Sequence, residues 1–125
     1  MTRHVLDAGA LIALDRGDAV AWHRLGVARR AGIPLLTHAG VLAQVVRSSK
    51  QARLARVVTS LDVLALDREL GRAPGYLLAE SRTTDVIDAA IVVISRDGDT
   101  ILTSDPDDLE HLVGAAGLDV TIVPV

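Results

Sequence analysis

Asp7 closes a short apolar run, His4-Val5-Leu6, and Asp105 closes another, Ile101-Leu102-Thr103-Ser104. Asp88 follows Asp85 by three residues, so on a helix the two carboxylates share one face. Carboxylates brought together repel, and such a cluster persists at neutral pH only if a cation, a basic partner or proton uptake compensates it. Hard oxygen donors, with no cysteine and no histidine pair at zinc spacing, point to Mg2+ or Mn2+. Taken singly, each acid has a plainer use. Asp7, Asp85 and Asp105 are candidate N-caps, and Asp107 and Asp108 are first-turn acids favoured by the helix dipole. Joint placement at the ends of separate elements is what points to a metal site.

Other chemistries fail on residues. No glycine-rich run ends in Lys-Ser or Lys-Thr, and no GxGxxG follows the first apolar run. A receiver domain needs extra acids beside Asp7 and a late lysine, whereas Lys50 is the sole lysine. A haloacid-dehalogenase-type phosphatase needs a second Asp where Gly9 stands, and no GxSxG elbow is present. His38, just past the second apolar run, either reaches the rim or is a satisfied structural histidine; His4, His23 and His111 suggest no catalysis.

The elements that must position these acids alternate. Strands are expected at His4-Val5-Leu6, Leu35-Leu36-Thr37, 62–66, 100–103 and 120–123. Helices are expected from Gly9, over 19–31 with Val20, Leu25 and Ala28 inward, around Val41, Leu42, Val45 and Val46, and over 50–60. Further helices are expected over 67–73 and 75–81, split at Pro74-Gly75, up to Ser95 behind a Thr84 or Asp85 cap, and from Pro106 to about Ala115. Strands alternating with helices imply an α/β domain, its sheet parallel and covered on both faces. Ligands then gather beyond the carboxyl ends of the strands, where Asp7 and Asp105 stand.

At 125 residues the chain makes one domain, spanning 1–125, and without cysteine it carries no disulfide scaffold. One Trp, one Tyr and no Phe leave the core to Leu, Val, Ile and Ala and give little for stacking on bases. The formal charge of −3 hides an asymmetry: residues 1–62 hold nine basic and four acidic side chains, residues 63–125 four basic and twelve acidic. Arg47, Lys50, Arg53 and Arg56 recur at three-residue spacing and suit either an RNA backbone or plain solvent. The longest apolar run, Ala89 to Ile94, is too short to span a membrane, and the first residues do not read as a signal peptide, so a cytoplasmic protein is expected.

Three segments in order carry a resemblance over essentially the whole chain. Val5-Leu6-Asp7-Ala8-Gly9-Ala10-Leu11-Ile12, Thr84-Asp85-Val86-Ile87-Asp88-Ala89 and Ile101-Leu102-Thr103-Ser104-Asp105-Pro106-Asp107-Asp108-Leu109 resemble the PIN domain, most closely the VapC-type toxins of bacterial toxin–antitoxin pairs. The resemblance implies a three-layer α/β/α sandwich with a mostly parallel sheet. It also implies a Mg2+- or Mn2+-dependent ribonuclease with Asp7, Asp88 and Asp105 as catalytic metal-site acids, Asp85 beside them, and Thr103 and Ser104 orienting them. The implied partners are an RNA substrate, an antitoxin whose tail covers the cleft and, commonly, a second copy of the chain. One position departs: the family's glutamate after the second strand is Gln44, and no Glu occurs before Glu69. A neutral amide still offers a carbonyl oxygen but cannot act as a general base. The alternative reading is therefore a PIN-like protein that binds antitoxin or RNA without efficient cleavage.

Overall fold

The structure, a computed structural model, describes residues 2–81 and 85–125. Five parallel strands, β1 (His4–Leu6), β2 (Leu35–His38), β3 (Asp62–Leu64), β4 (Thr100–Thr103) and β5 (Thr121–Pro124), form one sheet in the order β3-β2-β1-β4-β5. Helices α1 (Ala8–Asp15), α2 (Ala19–Arg30), α3 (Ala39–Val45) and α4 (Ala52–Val58) join β1 to β2 and β2 to β3. Helices α5 (Arg68–Ser81), α6 (Val86–Ile94) and α7 (Pro106–Ala116) serve β4 and β5. In this order the chain steps from β1 to β2 and β3 on one side, and from β4 to β5 on the other. Right-handed crossovers then place the two helix groups on opposite faces. Accordingly α1 packs on α2, α3 and α4, while α5, α6 and α7 pack on one another. The point where direction reverses lies between the neighbouring strands β1 and β4, and in open sheets of this kind ligands bind in the crevice beyond the carboxyl ends at such a point.

The inner strands β1, β2 and β4 are largely buried, whereas the edge strands β3 and β5 are partly exposed. Val5, Leu6 and Ile101 are wholly buried, as are Leu11, Leu25, Ile91 and Leu109 from the covering helices. Burying each such side chain contributes about 1.5–3 kcal/mol, so the absence of Phe is made good by many aliphatics. The run Ala89 to Val92 is fully buried because α6 lies between the sheet and its neighbours α5 and α7. Among the described residues no helix is long and apolar enough to cross a membrane.

α6 is tied at its inner end as well. Arg3 donates to the Ile94 carbonyl at 3.1 Å and forms a two-pronged ion pair with Asp99, at 2.6 and 3.1 Å. Burial works against the Asp99 charge, yet the Arg3 guanidinium and the Arg96 amide outweigh it and hold the carboxyl below its usual range.

Several expectations from sequence are corrected. α5 runs unbroken through Pro74, although proline lacks an N–H and crowds the carbonyl four residues back. Pro74 is itself buried, and Leu70 and Leu77 on the same helix are also inward, so packing on α6 and α7 outweighs the local break. Leu25 and Ala28 of α2 point inward as expected, but Val20 is 54% exposed and Ala21 takes its place on the buried stripe. Val46 is 49% exposed because it is the C-cap of α3, already in extended backbone. β3 ends at Leu64, two residues short of the expected strand. Thr84 lies outside the described residues, and Asp85 is the N-cap of α6.

Candidate active site

Asp7 sits at the carboxyl end of β1, only 4% exposed, and caps α1: its Oδ1 accepts from the Ala10 amide at 2.9 Å. Its Oδ2 accepts a short hydrogen bond from the Thr103 hydroxyl at the end of β4. The same Thr103 oxygen accepts from the Asp105 amide at 2.9 Å, so one side chain joins the ends of the two central strands. Burial raises the Asp7 pKa, and the Asp105 charge adds to it, against the pull of Thr103 and the Ala10 and Gly9 amides. Asp7 is therefore both a helix cap and a member of the crevice.

Asp88 enters from the other face, in the first turn of α6, where its amide donates to Asp85 Oδ1 at 3.0 Å. Partial burial, then the charges of Asp85, Asp7 and Asp108, push its carboxyl up to about 7. Asp105 occupies the N-cap position of α7 without making the cap bond, which leaves its carboxylate to other uses. Asp108, one turn into α7, is hydrogen-bonded to Asp105, and that contact with the Asp105 and Asp85 charges raises its pKa.

Asp88 thus feels the charges of Asp85, Asp7 and Asp108, Asp7 feels that of Asp105, and Asp108 feels those of Asp105, Asp85 and Asp107, which links these acids pair by pair along one rim. Asp108 is the member that sequence reasoning passed over as a first-turn acid. Its three-residue offset from Asp105 was the available signal, since that spacing stacks side chains on one side of a helix.

Ser104 is exposed and lies against Gly9. A Cβ on Gly9 would stand 2.7 Å from Ser104 Cβ and 3.1 Å from its amide, so only glycine lets α1 start this close to β4. Gly9→Ala is expected to destabilise the protein by about 1–3 kcal/mol through overpacking, read as a lowered urea midpoint. An unchanged midpoint would show that the two strand ends are not held together there.

His38 is a wholly buried residue that does not reach solvent. Its Nδ1 accepts from the Gly40 amide at 3.1 Å, capping α3, and its Nε2 donates to the Ile87 carbonyl of α6 at 3.0 Å. Burial, only partly offset by that carbonyl, lowers its pKa, which suits the neutral ring this pairing requires. Gln44 lies exposed on α3, one turn beyond Gly40 and on the same side of the helix.

The basic stripe is placed elsewhere. Arg47 precedes α4 and donates to the Ala43 and Val46 carbonyls at the end of α3, at 3.0 and 2.9 Å. The Arg53 guanidinium packs beside Gly17, past the far end of α1, which carries it roughly 12 Å from the Asp7 end at 1.5 Å per residue. Arg56 lies over the Trp22 ring, 5.8 Å from its centroid. Lys50 is exposed ahead of α4. Arg53 and Arg56 thus lie on the α1–α2–α4 side, and Arg47 at the end of α3.

All donors at the rim are carboxylate oxygens, which fits a hard divalent cation. Among the described residues no group of three or more of these side chains is placed to hold a metal ion.

Neither a protein-family model nor a curated protein matches the sequence. Among solved structures, a chain of VapBC2 from Rickettsia felis, crystallised bound to a DNA fragment from its promoter, matches at a TM-score of 0.70. The match covers 98% of this chain and 99% of that one, at 14% identity. Such a likeness speaks for the fold, and the fold is the three-layer, PIN-like α/β/α sandwich that the three motifs imply.

Proposed function

We propose that the chain is a divalent-metal-dependent endoribonuclease acting as the toxin of a toxin–antitoxin pair. The observation that carries this reading is the acidic rim at the β1–β4 crevice, where Asp88 is pushed to about 7 by burial and by its acidic neighbours. So much like charge in one place calls for a cation, a basic partner or proton uptake, and this reading takes a cation. Asp7, Asp85, Asp88, Asp105 and Asp108 are the residues that would hold Mg2+ or Mn2+, with Gln44 offering a neutral oxygen from α3. A bound ion of this kind supplies Lewis acidity toward the phosphodiester and an activated water.

The chain's own residues supply the rest. Thr103 fixes the Asp7 carboxylate and the Asp105 amide together, so neither needs to reorganise when substrate arrives. Asp88 holds a proton near neutrality, which a bound cation would displace. The acids lie at a strand-order reversal, the position at which open parallel sheets bind their ligands. The fold shared with VapBC2 and the resemblance of the motifs to VapC-type toxins support the same class. An antitoxin is the protein partner this reading expects, and a second copy of the chain a further one.

The test is cleavage of structured RNA by purified protein with Mg2+ or Mn2+. Asp7→Asn is expected to lower the rate by at least about 100-fold, because it removes a charge central to both binding and chemistry. Gln44 favours the second reading, a binding protein of the same fold. Metal or RNA retained without cleavage would establish that one and overturn the nuclease.

A further inference from the structure

α3 and α6 approach the rim from opposite faces of the sheet, and they meet at a single joint. His38 is its centre: the ring caps α3 through the Gly40 amide and reaches across to the Ile87 carbonyl, the residue just before Asp88. Gly40 makes the approach possible. A Cβ there would stand 2.8 Å from Ile87 Cδ1 and 3.0 Å from both Cε1 and Nδ1 of His38, with the His38 side wholly buried. The inner end of α6 is held separately, by Arg3 at the Ile94 carbonyl, so His38 governs the outer end, where Asp88 stands.

We propose that His38 is a positioning residue that sets the first turn of α6 against the head of α3, and so fixes where Asp88 stands relative to Asp7 and Gln44. The ring touches neither substrate nor ion; it acts through the Ile87 carbonyl. The inference rests on the metal-site reading above.

Its two hydrogen bonds can be separated, because an Asn amide imitates Nδ1 and a Gln amide imitates Nε2. His38→Asn keeps a good N-cap for α3 but is too short to reach Ile87. His38→Gln reaches Ile87 but forfeits the cap. In the full chain, titrated with Mn2+, the Asn variant is expected to bind roughly tenfold more weakly, and the Gln variant within about twofold of the parent. Thermal stability is expected to rank the other way, with Asn above Gln. Hydrogen exchange at the Ile87–Ala89 amides is expected to quicken in Asn alone, a readout that needs no metal.

Opposite rankings of affinity and stability cannot come from a merely structural histidine. Affinity that follows stability across the two variants, or an Asn variant that binds Mn2+ like the parent, overturns the proposal while leaving the metal site intact. A parent protein that binds no Mn2+, or binds it undiminished after Asp7→Asn, overturns the metal reading and this inference with it.

Discussion

Asp88→Asn is expected to stabilise the metal-free protein at pH 8 while abolishing cleavage. In the folded chain the Asp88 carboxyl keeps its proton up to about 7, against an ordinary value of 3.8. Between those two values the folded state binds more protons than the unfolded one, so stability falls as pH rises through that window, and above it the loss is complete. Asparagine carries no charge to repel and removes the penalty. After discounting for solvent screening at a partly exposed group, the gain is about 1–2 kcal/mol. The helix dipole, which favours an acid in the first turn of α6, takes back about 0.3–1 kcal/mol. The net gain is a rise of a few degrees in Tm at pH 8 and none near pH 4, measured by calorimetry without metal. Divalent cations should stabilise the parent protein more strongly as pH rises from 6 to 8, because binding displaces the Asp88 proton. An Asn variant less stable at pH 8 would show that repulsion does not dominate at this carboxylate.

Gln44→Glu is the second large effect, and it should act in the opposite direction. Gly40 rests against Ile87, and Gln44 lies one turn along the same side of α3, leaning back toward that turn as helical side chains do. A carboxylate at this position adds a charged ligand and a general base. Mn2+ binding is expected to tighten about tenfold and cleavage to rise at least as much, the ordinary yield of one positioned base being 10²–10⁴-fold. If neither changes, the side chain does not serve the rim, and the correspondence with the family's glutamate fails.

The alternation of apolar runs with helical stretches made the layers and the sheet readable in advance, and the crevice followed from strand ends alone. Asp7 and Asp105 could be placed because each stands within two residues of a strand's end. What the sequence did not disclose depends on contacts between distant elements. Asp108 looks like any first-turn acid until Asp105 is seen to turn toward it and away from its cap. His38 was legible as a satisfied structural histidine, but its partner, the Ile87 carbonyl 3.0 Å away, was not. Pro74 obeys a local rule that neighbouring helices override, and the arginines after α3 are taken up by its carbonyls, by α1 and by Trp22. In each case the local preference was real and a long-range contact outweighed it.

The burial of α6 has a mechanical consequence. A rod enclosed from Ala89 to Val92 and pinned at both ends by its carbonyls has no hinge of its own. Asp88 is mounted on it as on a fixed post, whereas Asp105 and Asp108 are exposed at the head of α7. Asp88 therefore keeps one place in the fold, against which the more solvent-open carboxylates at the head of α7 are set.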